Sequence, residues 1–289
     1  METKCYMCGT DDPYNLYAEV NGRKICWDCG INKLRQLCKI KIVSWNCKML
    51  PLYNKEGFTD SKASYIDKKY NADIYVIQEC TKYDIKKLNN FKKHITWYGD
   101  NIDSKYGIGI FSNRFKIELL DDHNPEFRYI VPYKIFDETI DFTLFAVWTK
   151  PKDRENKKIG YTEQIWNAIN FSSYKKYLND RIILIGDFNS NNFWEKEYKR
   201  DKVPSHKDII GKLSEYGIGS AYHKYFNCEN GNEKDPTELH GMNIDKRYHV
   251  DYCFISRHFE IKNVEVGDLV EWEKVKHSDH CPLFVEFNF

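Results

Sequence analysis

The segment Arg181–Ser190, Arg-Ile-Ile-Leu-Ile-Gly-Asp-Phe-Asn-Ser, constrains the fold more than any other stretch. Ile182 to Ile185 is an unbroken run of branched apolar side chains with no polar face to turn to water. Such a run reads as a strand buried on both sides, which requires a sheet covered on both faces. Gly186 ends it, and Asp187 and Asn189 follow two residues apart, so in extended chain their side chains project the same way. A rigid buried strand presenting polar groups at its C-terminal end is how α/β folds build sites. An ordinary Gly-Asp turn, with Asn capping the backbone, fits this segment equally well.

Other strand-like runs end in the same manner. Lys39–Cys47 begins in alternation, turns into an apolar run and reaches Asn46, while Ile74–Glu79 is apolar until it closes on Glu79. Tyr248–Ile255 carries Asp251, and Asp279 and His280 precede a last alternating strand, Phe284–Phe289. A lone Glu at a strand end is ordinarily a solvated boundary; the repetition argues otherwise. Strands are also predicted at Gly107–Phe111 and Thr143–Trp148, and helices at Ser61–Tyr70 and Thr162–Leu178. A Ser205–Asp208 capping box opens a further helix that Gly217 closes. Asn191–Lys202 and Cys228–Lys246 read as loops.

With 289 residues the chain can bury one large core and carry a small appendage. Its 44 basic and 43 acidic residues give a net charge of +1, so nothing global attracts a polyanion. A nucleic-acid partner must be drawn by a local patch or a bound metal. No apolar run approaches the roughly 18–20 residues of a membrane span, and Met1–Cys5 opens no signal-peptide apolar region. The expectation is a cytoplasmic protein without membrane contact, whose cysteines are thiols or metal ligands rather than disulfides.

Residues 1–38 form a unit of different character. Cys5-Tyr-Met-Cys8 and Cys26-Trp-Asp-Cys29 are two Cys-x-x-Cys pairs separated by 17 residues, a spacing suited to four thiolates around structural Zn²⁺. Between them Tyr14–Val20 and Gly22–Ile25 flank Asn21-Gly22, a hairpin signal. Gly9 and Gly30, each following a second cysteine, are placed to aim amide donors at sulfur. A segment this short has no core of its own, so the metal would supply its folding energy. Nucleic-acid contact, docking of a partner protein and simple structural capping are all open for it. Cys38, Cys47, Cys80, Cys228, Cys253 and Cys281 show no pairing by spacing and read as buried thiols.

Set together, Asn46, Glu79, Asp187, Asn189, Asp251 and Asp279 offer carboxylate and amide oxygens suited to a hard ion such as Mg²⁺, with one histidine, His280, adjoining Asp279. The ordered motifs Ser-Trp-Asn46, Gln-Glu79, Gly-Asp187-Phe-Asn189-Ser, His-Val-Asp251-Tyr and Ser-Asp279-His280-Cys-Pro resemble the endonuclease/exonuclease/phosphatase superfamily across about residues 39–289. That resemblance implies a deoxyribonuclease I-like catalytic domain, a four-layer α/β/β/α sandwich. It implies Glu79 as the main ligand of Mg²⁺ (or Mn²⁺), with Asn46 and Asp279 close to the ion. Asp187 would orient or deprotonate water, Asn189 would hold a phosphate oxygen, and Asp251 would fix His280 as an imidazolium. One position departs: many relatives carry His or Tyr where Trp148 stands. An indole donates a hydrogen bond but transfers no proton. Leaving-group assistance then falls to metal-bound water, to another side chain such as His249 or Tyr161, or to nothing, and a lone His such as His249 reads more readily as a plain strand residue facing core or solvent.

The expected function is a metal-dependent phosphodiesterase hydrolysing nucleic acid, as an endo- or exonuclease, with DNA favoured over RNA and both open. The alternative within the same chemistry is hydrolysis of a small phosphate ester such as an inositol phosphate or nucleotide. A non-catalytic binding module would predict damaged ligands, and each of them is present.

Overall fold

The computed structural model describes residues 4–10, 17–20, 23–30, 38–48, 62–87, 92–99, 105–150, 152–154, 157–197, 204–269 and 278–289. Two six-stranded mixed sheets dominate it. In chain order their strands are β1 (Lys39–Asn46), β2 (Ile74–Cys80), β3 (His94–Tyr98), β4 (Gly107–Ser112), β5 (Lys116–Leu119) and β6 (Ile130–Phe136). They continue as β7 (Asp141–Trp148), β8 (Ile182–Asp187), β9 (Ile218–Ser220), β10 (Asp251–Ser256), β11 (Glu260–Val266) and β12 (Leu283–Asn288). One sheet runs β11-β12-β1-β2-β4-β3 and the other β9-β10-β8-β7-β6-β5. The pairs β1/β2 and β7/β8 are parallel and central; their neighbours are antiparallel.

Alternation along each strand sends one set of side chains inward and the other outward. Ile40, Ile42, Val76 and Ile110 of the first sheet pack with Val131, Leu144, Ile183 and Ile185 of the second. On the outer face of the first sheet Val43, Trp45 and Tyr75 meet Ile66 and Tyr70 of the helix Lys62–Tyr70. Outside the second, Phe145, Ile182 and Leu184 meet Ile165 and Ile169 of the helix Tyr161–Asn170, and Ile209 and Leu213 of the helix His206–Glu215. This is the four-layer α/β/β/α arrangement. Ile182–Ile185 is fully buried on both faces, as its composition requires.

Several elements differ from the sequence expectation. The helix expected over Thr162–Leu178 breaks at Phe171, whose backbone is extended (φ −68°, ψ 134°), leaving Tyr161–Asn170, Ser172–Lys175 and a 3-10 turn Lys176–Asn179. The expected loop after Asn191 holds a helix, Asn192–Glu197, at whose start the Phe193 amide donates to Asn191 Oδ1 at 2.6 Å. Tyr248 leaves β10 to pair in a small ribbon, Arg247–Tyr248 with Glu238–Leu239, inside what reads as loop. Strands β3, β5, β6, β9 and β11 carry no clear sequence signal: Pro132 lies within β6, and β3 and β5 have no buried face. The Ser205 capping box is present, with Ser205 Oγ accepting from the Asp208 amide and Asp208 Oδ2 from the Ser205 amide.

In the N-terminal unit Tyr17–Val20 pairs antiparallel with Arg23–Cys26. Asn21 and Gly22 of the expected hairpin turn, and residues 31–37, lie outside the described residues. Cys47, Cys80, Cys253 and Cys281 are buried as expected, whereas Cys38 and Cys228 are only half-buried. Among the described residues no helix is long and apolar enough to cross a membrane.

Candidate active site

The central strands of both sheets end in one place. Asp187 is the last residue of β8 and faces Asp251, the first of β10, directly across the antiparallel register. From the other sheet come Asn46, the last residue of β1, and Glu79, next to last in β2. Backbone geometry at these ends is unusual: Lys48 (φ 55°), Glu79 (φ 58°) and Asn189 (φ 47°) are left-handed without being glycine. Each such residue costs on the order of 1–3 kcal/mol, and such conformations cluster at functional sites. At Glu79 the twist coincides with an irregularity in β2–β4 pairing between Ile77 and Cys80. Gly186 (φ 144°) admits no side chain, since a Cβ there would lie 1.8 Å from the Val147 carbonyl oxygen.

Asn46 joins the two sheets through one nitrogen. Its Nδ2 donates to Glu79 Oε1 at 2.9 Å and to Asp187 Oδ2 at 2.9 Å, while its Oδ1 accepts the Lys48 amide at 2.8 Å. Asn189 Nδ2 donates to Asp187 Oδ2 (2.8 Å) and the Thr149 carbonyl (3.1 Å), and its backbone amide donates to Asp187 Oδ1 (2.8 Å). Both side-chain N–H groups of Asn189 thus hold Asp187 and the backbone in place. Opposite, His280 Nδ1 lies 2.9 Å from Asp251 Oδ2. Trp45 Nε1 donates to the His280 carbonyl at 2.9 Å, fixing the turn that carries the imidazole. Ser278 Oγ donates to the Asn46 carbonyl (2.7 Å) and accepts from the His280 amide (3.1 Å), tying that turn to the end of β1. Asp279 Oδ2 is paired with Lys48 Nζ at 2.6 Å.

The electrostatics follow from burial and crowding. Burial raises Glu79 above the usual carboxylate range, offset in part by the Asn46 hydrogen bond. Burial and the facing Asp251 charge push Asp187 well above it. For His280 burial works downward, but Asp251, Asp187 and Glu238 outweigh it, and the imidazole is held well above its ordinary value. Asp251 Oδ1 is buried without a hydrogen-bond partner among the described residues. Carboxylates pressed together around one imidazolium, one of them with a buried oxygen left unpartnered among the described residues, fit a further cation, and carboxylate oxygens suit a hard one. The atoms of Asp187, Asp251 and His280 lie within 4.8 Å of one another. Of the expected ion ligands, Asn46 Oδ1 is occupied by the Lys48 amide and Asp279 by Lys48 Nζ. Glu79 Oε2 has no hydrogen bond among the described residues.

Trp148 sits in the core between the sheets, its ring 4.5 Å from that of Tyr129. His249 is buried, with Nδ1 2.7 Å from the Asp235 carbonyl, between the rings of Tyr222 and Tyr252. Tyr161 behaves differently. It opens the helix Tyr161–Asn170, is 39% exposed, and its phenol is raised by burial and then by the charges of Asp187, Glu238 and Glu79. Sequence reasoning assigned no role to Lys48, Ser278, Thr149 or Thr237, whose Oγ1 accepts the Val250 and Asp251 amides. Lysine, serine and threonine in such places read as solvated or turn residues, and only their pairing reveals them.

Far from these carboxylates in sequence, the sulfur atoms of Cys5, Cys8, Cys26 and Cys29 lie within 4.8 Å of one another. Cys8 Sγ and Cys26 Sγ are 3.7 Å apart. A tetrahedron with Zn–S bonds of about 2.3 Å has edges of about 3.8 Å, so the spacing fits. The Cys26 amide donates to Cys5 Sγ at 3.3 Å and lowers that thiol to about 6. Gly9 directs its amide to the Cys5 carbonyl (2.8 Å), not to sulfur.

The family model described as Endonuclease/Exonuclease/phosphatase family matches residues 43–280. No curated protein sequence matches the chain. Among solved structures, the endonuclease domain of TRAS1, a telomere-specific non-LTR retrotransposon, is similar with TM-score 0.55 and 17% identity, covering 86% of this chain and 98% of that one. The 3′ phosphatase NExo from Neisseria, bound to a product DNA hairpin, gives 0.56 and 16%, covering 86% and 100%. D. rerio TDP2 complexed with single-strand DNA product gives 0.56 and 16%, covering 87% and 99%.

Proposed function

The chain belongs to the endonuclease/exonuclease/phosphatase family, hydrolases of phosphoester bonds, and on that premise we propose that it is a metal-dependent phosphodiesterase cleaving nucleic acid, DNA in preference to RNA. The observation that carries this reading is the Asn46 bridge, which sets Glu79 and Asp187 side by side next to the Asp251–His280 pair. The TRAS1, NExo and TDP2 structures of the same fold, the last two with DNA products, favour DNA.

In this mechanism Asp187 orients a water and takes its proton, for which a raised carboxylate is the better base. Asn189 keeps both Asp187 oxygens in place, and it reaches a phosphate oxygen only by exchanging a bond it already makes. His280, kept as imidazolium by Asp251, donates to a phosphorus oxygen as charge develops there. Glu79, with Asn46 and Asp279 nearby, would hold Mg²⁺ or Mn²⁺, which when bound supplies positive charge against the phosphate. Tyr161, half-exposed at a helix start and within the field of the same carboxylates, is the side chain we assign to assist the leaving oxygen in place of Trp148.

Residues 1–38 we take as a separate unit in which Cys5, Cys8, Cys26 and Cys29 bind Zn²⁺, and 39–289 as the catalytic domain. A substrate panel tests the activity: plasmid, abasic duplex, single-stranded DNA, RNA, inositol phosphates and bis-p-nitrophenyl phosphate, each with Mg²⁺ or Mn²⁺. Cleavage of a DNA substrate is expected. Turnover of the small esters with none of the nucleic acids would replace this reading by the small-ester one.

A further inference from the structure

Among the described residues Lys48 is the one side-chain cation ion-paired to an expected metal ligand. Its Nζ lies 2.6 Å from Asp279 Oδ2, with Asp279 12% and Lys48 36% exposed. A surface pair of this kind ordinarily means little. Here the backbone says more: Lys48 is held left-handed (φ 55°), and its amide donates to Asn46 Oδ1 at 2.8 Å. The residue that bridges Glu79 and Asp187 therefore also sets the turn that carries the lysine. From the far side, Ser278 stitches the Asp279 turn to the Asn46 carbonyl at 2.7 Å. Both partners are fixed from the backbone, so the pair is built rather than incidental. It also lies beside a surplus of carboxylates, Glu79, Asp187, Asp251 and Glu238, set against the His280 imidazolium and the more distant charge of Lys150.

We propose that Lys48 is a resident cation of the site: it occupies Asp279, confines a divalent ion to the Glu79 side, and offers its ammonium to a phosphate oxygen of the substrate. The chemical class recognised is a phosphate anion, shared between one divalent ion and one lysine. This rests on the metal-dependent reading above, and it goes further by limiting the site to one ion and giving Asp279 a partner from the chain itself. An ammonium is a compact point charge with rotatable donors, which suits passing between a carboxylate and a phosphate.

The test is Mn²⁺ binding, followed by electron paramagnetic resonance and calorimetry on zinc-loaded protein, for wild type, Lys48→Met, Lys48→Arg and Glu79→Gln. Wild type and Lys48→Arg are expected to bind one Mn²⁺ at this site. Lys48→Met frees Asp279 and is expected either to bind a second Mn²⁺ or to bind the first about tenfold tighter, a coupling of ordinary size for one charge. The same variant is expected to raise KM for bis-p-nitrophenyl phosphate several-fold. Lys48→Met binding Mn²⁺ with wild-type number and affinity, while Glu79→Gln loses it, would overturn the role of Lys48 and leave the ion site standing. Mn²⁺ binding indifferent to Glu79→Gln would overturn the ion site and this inference with it.

Discussion

Asp187 and Asp251 stand directly opposite each other on neighbouring antiparallel strands, two carboxylates in a register where like charges repel. The conflict is resolved by giving each its own partners. Asp187 takes hydrogen bonds from Asn46 and Asn189, and Asp251 takes the His280 imidazole at 2.9 Å. An arrangement that costs stability and is held this firmly is one that function requires.

Because Asp251 acts through His280, Asp251→Asn and His280→Gln are expected to lower kcat by similar factors, about 10²–10³ each. The double variant should be little worse than either single one, since the two side chains work as a unit. Additive losses, measured on bis-p-nitrophenyl phosphate at saturating Mn²⁺, would show that the pair does not act together.

Glu79 is half-buried and pressed among carboxylates, so a divalent ion that binds it should stabilise the fold. Mn²⁺ is expected to raise the Tm of wild type in proportion to ln[Mn²⁺] and to leave that of Glu79→Gln nearly unchanged. Equal Tm shifts in both proteins would place the ion elsewhere.

Tyr161→Phe removes only a hydroxyl from a half-exposed ring at a helix start, so stability should change by less than about 0.5 kcal/mol. A role in protonating the leaving oxygen predicts a fall of about 10²-fold in kcat on alkyl phosphodiesters. On p-nitrophenyl esters, whose leaving group needs no proton, the fall should be much smaller. Equal effects on both substrates would argue against that role.

His206 is buried, its Nδ1 2.8 Å from Ser190 Oγ, and burial pulls its imidazole down to about 3 from an ordinary 6.5. Between these values the unfolded chain binds a proton that the folded chain refuses, so this stabilising contribution is full above 6.5 and is lost as pH falls. By pH 5 the loss is about 2 kcal/mol. Denaturant titrations at pH 7 and pH 5 should therefore show a smaller pH dependence for His206→Gln than for wild type. An unchanged difference between the two pH values would remove His206 from the acid sensitivity.

Purified protein is expected to carry one zinc per chain, lost in Cys26→Ser, whose sulfur lies 3.7 Å from that of Cys8. Elemental analysis decides this, and wild type without stoichiometric zinc would contradict the tetrahedral site.

Much of the site was legible because its carboxylates and amides end apolar runs: Asn46, Glu79 and Asp187 are each preceded by residues that can only be buried. The four cysteines were legible from spacing alone. What sequence concealed were groups whose meaning comes from a partner far along the chain. Lys48 is a solvated lysine until Asp279 arrives from 231 positions away (279 minus 48). In sequence both His249 and Tyr161 are open as proton donors, with His249 the weaker candidate, and its packing against Tyr222 and Tyr252 sets it apart from the exposed Tyr161. In the fold, edge strands β3 and β5 escaped notice because strands with little buried surface have little pattern to read. Phe171 breaks a helix that apolar periodicity alone would have continued.

The most direct measurement is hydrolysis of bis-p-nitrophenyl phosphate and of a DNA duplex by wild type and by Asp187→Asn in Mn²⁺. Asn is close to isosteric and, once it turns its amide, keeps the acceptor contacts to the Asn46 and Asn189 side chains while giving up that from the Asn189 backbone amide, but it cannot take a proton from water. Wild type is predicted to cleave both substrates, and Asp187→Asn to be folded and slower by about 10³-fold or more. Wild type cleaving neither substrate, or Asp187→Asn cleaving both at the wild-type rate, would contradict the site.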